Sequence, residues 1–141
     1  DEDRFAGFQK ALVEFRVPLY EELVVYGDGK LDGAARAALE LLNTHDRPTA
    51  IVCYNDMSAL GLLRVAEEHG ITVPDALSVT GFDDIFFAAL ARPALTTVRQ
   101  PRRGMGRKAM KLLLAIFNSS PAEKAAVIRG DLIVRGSTAF L

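Results

Sequence analysis

An α/β fold built on a parallel sheet is predicted by three features of the sequence. Short apolar runs at residues 49–53, 77–80 and 95–98 alternate with stretches of helical periodicity. A polar pair follows each run: Asn55-Asp56, Asp83-Asp84 and Arg99-Gln100. In an open parallel sheet such ends share one edge, where ligands bind, so Asn55 and Asp83 are expected to converge.

The chain opens in a helix. Phe5, Phe8, Leu12 and Phe15 recur at helical spacing, while Asp3, Lys10 and Glu14 fall on other faces. Because a parallel repeat that begins on a helix lacks its first strand, further chain is expected upstream. Arg4 stands in the first turn, where a cation opposes the helix dipole, so it faces either a ligand or a nearby carboxylate. Residues 22–26 are β-prone. Gly27-Asp28-Gly29 then reads as a strand-to-helix loop more than a phosphate cradle, since no fuller glycine fingerprint accompanies it. An Ala-rich helix follows over 31–43.

The run at 49–53 has the composition of a strand buried on both faces. The helix over 56–69, ended by Gly70, carries Ala59, Leu62, Leu63 and Ala66 on one face. Met57, Leu60 and Gly61 widen its apolar surface. After strand 77–80, Gly81 is expected to allow a tight exit that presents Phe82 and Asp83. Residues 85–91 form a short helix with almost no polar face, stopped by Pro93. Strand 95–98 leads to a helix over 103–117 with Met105, Ala109, Leu112, Leu113 and Ile116 in its stripe. Six basic residues and no acid lie between 99 and 111, for which a solvated helix face is favoured over an anion site. A loop at 118–121 precedes a last strand at 131–135.

Asn55, Asp56, Asp83 and Asp84 all suit helix N-caps, but one cap per helix suffices. The second group of each pair is left over for a ligand. A formal charge of −1 gives the chain no electrostatic footprint of a nucleic-acid binder. The single Cys53 reads as a buried thiol, and the spacing of His45 and His69 suggests no metal site. No apolar run is long enough for a membrane span, and the charged opening is no signal peptide, so the chain reads as cytoplasmic and not membrane-bound. Asp83 and Asp84 could hold Mg²⁺ or act as acid and base. Neither a nucleophile–base pair nor a phosphate loop accompanies them, and no catalytic residue, metal or cofactor is assigned.

Taken together the motifs resemble the effector-binding domain of the lactose-repressor and galactose-repressor family of bacterial transcription regulators. The resemblance rests on Arg4-Phe5-Ala6-Gly7-Phe8, Arg47-Pro48-Thr49-Ala50 running into Asn55-Asp56-Met57-Ser58-Ala59-Leu60-Gly61, and Val73-Pro74-Asp75. It continues through Ser78-Val79-Thr80-Gly81-Phe82-Asp83-Asp84, Leu95-Thr96-Thr97-Val98-Arg99-Gln100 and Leu132-Ile133-Val134-Arg135-Gly136-Ser137-Thr138. It implies one lobe of a two-lobe, periplasmic-binding-protein-like fold. Residues 1–98 and 131–141 would form the second lobe, with 99–120 the helix that packs in an absent first lobe.

The resemblance also implies that Arg4, Asn55 and Asp83 contact ligand, with Gln100 at the hinge side. A charged fork, an amide and a carboxylate suit vicinal hydroxyls. The implied partners are a small-molecule effector, a carbohydrate or nucleoside-like compound, a second copy in a homodimer, and operator DNA only through a headpiece outside this chain. A sugar-transport binding protein of the same fold is the alternative. The sequence departs from the family near Gly29, where some members stack an aromatic on the ligand, and at Arg102, where others carry an apolar or aromatic residue. The dimer is expected through helices 56–69 and 85–91, and helix 103–117 is expected to fold back on its own sheet or be exchanged with a neighbour.

Overall fold

The computed structural model describes residues 2–119 and 126–140, so part of the expected loop at 118–121 lies outside the described residues. The order is α1 (Glu2–Glu14), a 3₁₀ turn (Glu21–Leu23), α2 (Leu31–Leu42), β1 (Ala50–Val52), α3 (Asp56–Glu68), β2 (Ser78–Asp83), α4 (Phe86–Leu90), β3 (Thr96–Arg99), α5 (Arg102–Phe117) and β4 (Asp131–Ile133). The sheet runs β1-β2-β3-β4. Its first three strands are parallel, with Val52 level with Thr80 and Asp83 level with Arg99; β4 returns antiparallel to β3. The expected α/β architecture is present.

The core lies where the small residues of α2 and α3 meet one face of the sheet. Ala35, Ala38 and Leu42 of α2 join Ala59, Leu62, Leu63 and Val65 of α3 against Leu77, Val79, Ala88 and Leu95. Close approach of the two helices requires Gly61, because a Cβ there would sit 2.4 Å from the Leu31 carbonyl oxygen. At the other edge of β2, the Ser137 hydroxyl donates to Val79 O (2.6 Å) and accepts from Thr96 N (2.8 Å). This buried hydroxyl closes the gap between β2 and β3 with the chain that follows β4.

Three expectations are corrected. Residues 22–26 do not form a strand: Leu23 N–H donates to Tyr20 O and Val24 N–H to Glu21 O, so this backbone spends its donors on a local turn. That leaves β1 as the sheet edge, with Ala50 and Val52 exposed and only Ile51 half-buried, instead of a strand covered on both faces. The third concerns α5, which buries none of its residues: of the two arrangements expected for it, folding back on its own sheet is not the one adopted. Among the described residues no helix is long and apolar enough to cross a membrane.

Candidate functional site

The edge formed by the C-terminal ends of β1, β2 and β3 gathers all four of the residues singled out in the sequence. Asp83 ends β2 and Gln100 follows β3; the Gln100 amide donates to the Asp83 carboxylate. Asp83 holds this position at φ +118° and Asp84 follows at φ +50°, both in a region that L side chains rarely adopt. Strain of this kind persists only where surrounding bonds impose it.

Asn55 follows β1 and is the N-cap of α3. Its Oδ1 accepts from Ser58 N at 2.8 Å and its Nδ2 donates to Gly29 O at 2.9 Å. Capping is therefore part of what Asn55 does. An amide oxygen has two lone pairs and the amide nitrogen two N–H groups, so one of each remains for a ligand. The Gly27-Asp28-Gly29 stretch behaves as a loop: Asp28 Oδ1 accepts from Lys30 N at 2.9 Å, a local turn that starts α2.

Arg4 reaches this edge from α1. Its Nη1 donates to Tyr54 O at 2.9 Å, and its guanidinium lies over the rings of Phe82 (4.1 Å) and Tyr54 (4.8 Å). Both aromatics are neighbours of predicted contacts, Tyr54 of Asn55 and Phe82 of Asp83. Their part in holding Arg4 was not read from the sequence, although their positions at strand ends carried the signal. Tyr54 also lies over Gly29, with ring carbon Cε1 3.4 Å from where a Cβ would stand.

The carboxylates beside the predicted contacts do not cap their own helices. Asp56 is fully buried; its Oδ2 accepts from Ile85 N at 2.8 Å and its Oδ1 from Thr97 Oγ1 at 2.5 Å. One side chain thus ties the β1 end to the β2 end and to β3. Asp84 instead receives Arg99 Nε and Arg135 Nη2, each at 2.6 Å, while its backbone oxygen receives Arg102 Nη2 at 2.9 Å. Burial opposes ionisation of Asp84, but the hydrogen bonds and charges of Arg135 and Arg99 outweigh it and hold the carboxyl below its ordinary value. Arg99 and Arg102, two of the six clustered cations, are thereby engaged with the lobe and are not merely a solvated face. Burial of the sulfur, reinforced by the Asp56 carboxylate, pushes the thiol of the half-buried Cys53 up to about 12, the opposite of what a nucleophile needs.

The surface so assembled offers a carboxylate acceptor, amide donors and acceptors, and a guanidinium flanked by aromatic rings. It is an open wall that can hydrogen-bond hydroxyls on one side of a small polar molecule.

A model of the periplasmic binding protein-like domain matches residues 1–138. The HTH-type transcriptional repressor PurR of Vibrio parahaemolyticus is 35% identical over 137 residues, 96% of this chain and 41% of that protein. A regulatory protein of the LacI family from Chloroflexus aggregans superposes with a TM-score of 0.89 and 33% identity, over 98% of this chain and 50% of its own. A LacI family regulator from Enterococcus faecium, solved with bound ribose, gives 0.87 and 30% over 98% of this chain and 51% of its own. The chain spans about two fifths of the length of the curated relatives it matches.

Proposed function

The chain belongs to the periplasmic-binding-protein-like domain family, as it occurs in regulators of the lactose-repressor and galactose-repressor type, and on that premise we propose that it is the effector-binding second lobe of a transcriptional repressor. The observation that carries this reading is the meeting of Arg4, Asn55, Asp83 and Gln100 at one sheet edge of a chain that matches the family over residues 1–138. These four are the ligand contacts. Residues 1–98 and 131–141 form the lobe, and 99–120 belong to the helix that packs in a first lobe, which accounts for the unburied apolar stripe of α5.

The effector is a small polyhydroxylated molecule, sugar-like or nucleoside-like. The ribose of the Enterococcus faecium neighbour is of this class. Bound between two lobes, it shifts the population of conformers and so alters operator affinity of a helix-turn-helix headpiece; it can do so only to the extent that it binds the two conformers unequally. The protein works in the cytoplasm, as a homodimer through α3 and α4, and is not an enzyme. The transcription repressors and regulators among the matched proteins favour this reading over the sugar-transport alternative.

A thermal-shift screen of sugars, nucleosides and purines on a protein carrying both lobes tests it. One class is expected to raise the melting temperature, with the shift growing as the logarithm of ligand concentration once that exceeds Kd. A secretion signal in place of a helix-turn-helix upstream of residue 1 would overturn the regulator reading.

A further inference from the structure

The two strained residues at the end of β2 are held from segments far away in sequence. Asp83 is bonded by Gln100, and Asp84 by Arg99, by Arg102 through its carbonyl, and by Arg135. Asp84 N–H also faces Thr97 Oγ1 at 3.4 Å. Arg99 to Arg102 is the segment that leaves the sheet for α5, and Arg135 belongs to the segment that follows β4 back along the sheet. The Asp84 carboxylate is about 10% exposed and Arg135 about 16%, while Arg99 and Arg102 lie at the surface, so the cluster is partly buried. Lobe stability alone does not call for it, since an ion pair with an exposed member contributes little and an apolar side chain commonly serves as well as a more buried one. A carboxylate that accepts two guanidiniums in fixed directions sets geometry.

We infer that Asp84 is a positioning residue: it locks Asp83 in its present backbone conformation and ties that corner to both segments that cross out of the sheet. This rests on the reading of Asp83 as a ligand contact and extends it. Whatever engages the Asp83 carboxylate acts on a corner already joined to the outgoing and the returning chain. Movement of those segments and occupancy of Asp83 are then linked through one side chain.

Amide hydrogen exchange followed by NMR on the 141-residue chain tests this. In Asp84→Asn, exchange at residues 82–85, 99–102 and 133–136 is expected to quicken by about ten-fold or more, while residues 59–66 of α3 keep their rates. The side-chain carboxyl ¹³C resonance of Asp83 is expected to move toward that of an unstructured Asp, and Asp84→Glu to bring it part of the way back. Arg99→Gln changes a half-exposed partner and is expected to give the same pattern at smaller amplitude, which carries the test should Asp84→Asn fail to fold. Exchange that rises evenly, residues 59–66 included, or an Asp83 resonance that stays in place, would overturn the proposal. The readout needs no ligand, so an empty ligand screen would count against the functional reading alone.

Discussion

Gly81 and Asp56 occupy the same space: a Cβ built on Gly81 would stand 2.3 Å from Asp56 Oδ1. Gly81 lies inside β2, and its role is to admit the buried carboxylate that braces Ile85 and Thr97, in place of the tight exit expected from the sequence.

Gly81→Ala should therefore destabilise the lobe by about 1–3 kcal/mol, as overpacking does in a tight interior. Gly7→Ala is the contrast. Gly7 is in α1 with nothing within 4 Å of the added methyl, so alanine there should stabilise by roughly 0.5–1 kcal/mol through helix propensity. Urea unfolding of the two variants checks both signs.

Asp83→Asn should remove effector response and leave the fold intact. Asn tolerates positive φ and keeps an oxygen to accept from Gln100, so the change removes the charge and little else. Loss of charge-assisted bonds should cost about 1.5–3 kcal/mol of binding, on the order of ten- to a hundred-fold in Kd. Titration of the two-lobe protein with a compound found by the screen measures it; an unchanged Kd would remove Asp83 from the site.

How much of this was legible beforehand divides along physical lines. The periods of α2, α3 and α5 and the three parallel strands followed from sequence, because each is set by local repetition of apolar residues. Asn55 and Asp83 followed from their place at strand ends. The 22–26 run is β-prone and yet unpaired, because whether such a segment pairs depends on a neighbouring edge, which no local pattern encodes. The role of Arg135 at Asp84 spans 51 positions, and the brace from Asp56 to Thr97 spans 41, so neither left a trace in spacing. Two adjacent acids looked alike on paper. Their partners separate them.

Acid should unpick the Asp84 cluster. The folded carboxyl titrates below its ordinary 3.8, so its contribution to stability is complete above the unfolded value and is lost as pH falls through the folded one. Melting temperatures of wild type and Asp84→Asn should differ at pH 6 and approach each other below about pH 4. A gap that stays constant down to pH 2.5 would show that the charge of Asp84 contributes nothing to stability.

Cys53 should resist alkylation. A shift from 9.0 to about 12 lowers the thiolate fraction at pH 8 by roughly a thousand-fold, and thiolate is the reactive species. Iodoacetamide at pH 8 should label the native chain slowly and the urea-unfolded chain readily, as mass spectrometry would record. Rapid labelling of native protein would place the thiol in contact with solvent.

Self-association should run through α4. This helix buries only Ala88, and Phe86, Phe87 and Leu90 are 74%, 59% and 56% exposed, with the two phenyl rings meeting edge-on at 5.7 Å. Three large apolar side chains within five residues are more than a solvated helix carries without a partner. Met57, at the start of the other helix of the expected interface, is also exposed. In a two-fold dimer each contact occurs twice, so losing one buried Phe per protomer should cost about 3–6 kcal/mol per dimer, a hundred-fold or more in Kd. Phe87→Glu is the informative change. Leu60, on the other helix of the expected interface, is half-buried and packs on the core, so a charge there would test folding as much as association. Sedimentation equilibrium should find wild type as a dimer and Phe87→Glu as a monomer with an unchanged circular dichroism spectrum; a Phe87→Glu protein that still sediments as a dimer would move the interface off α4.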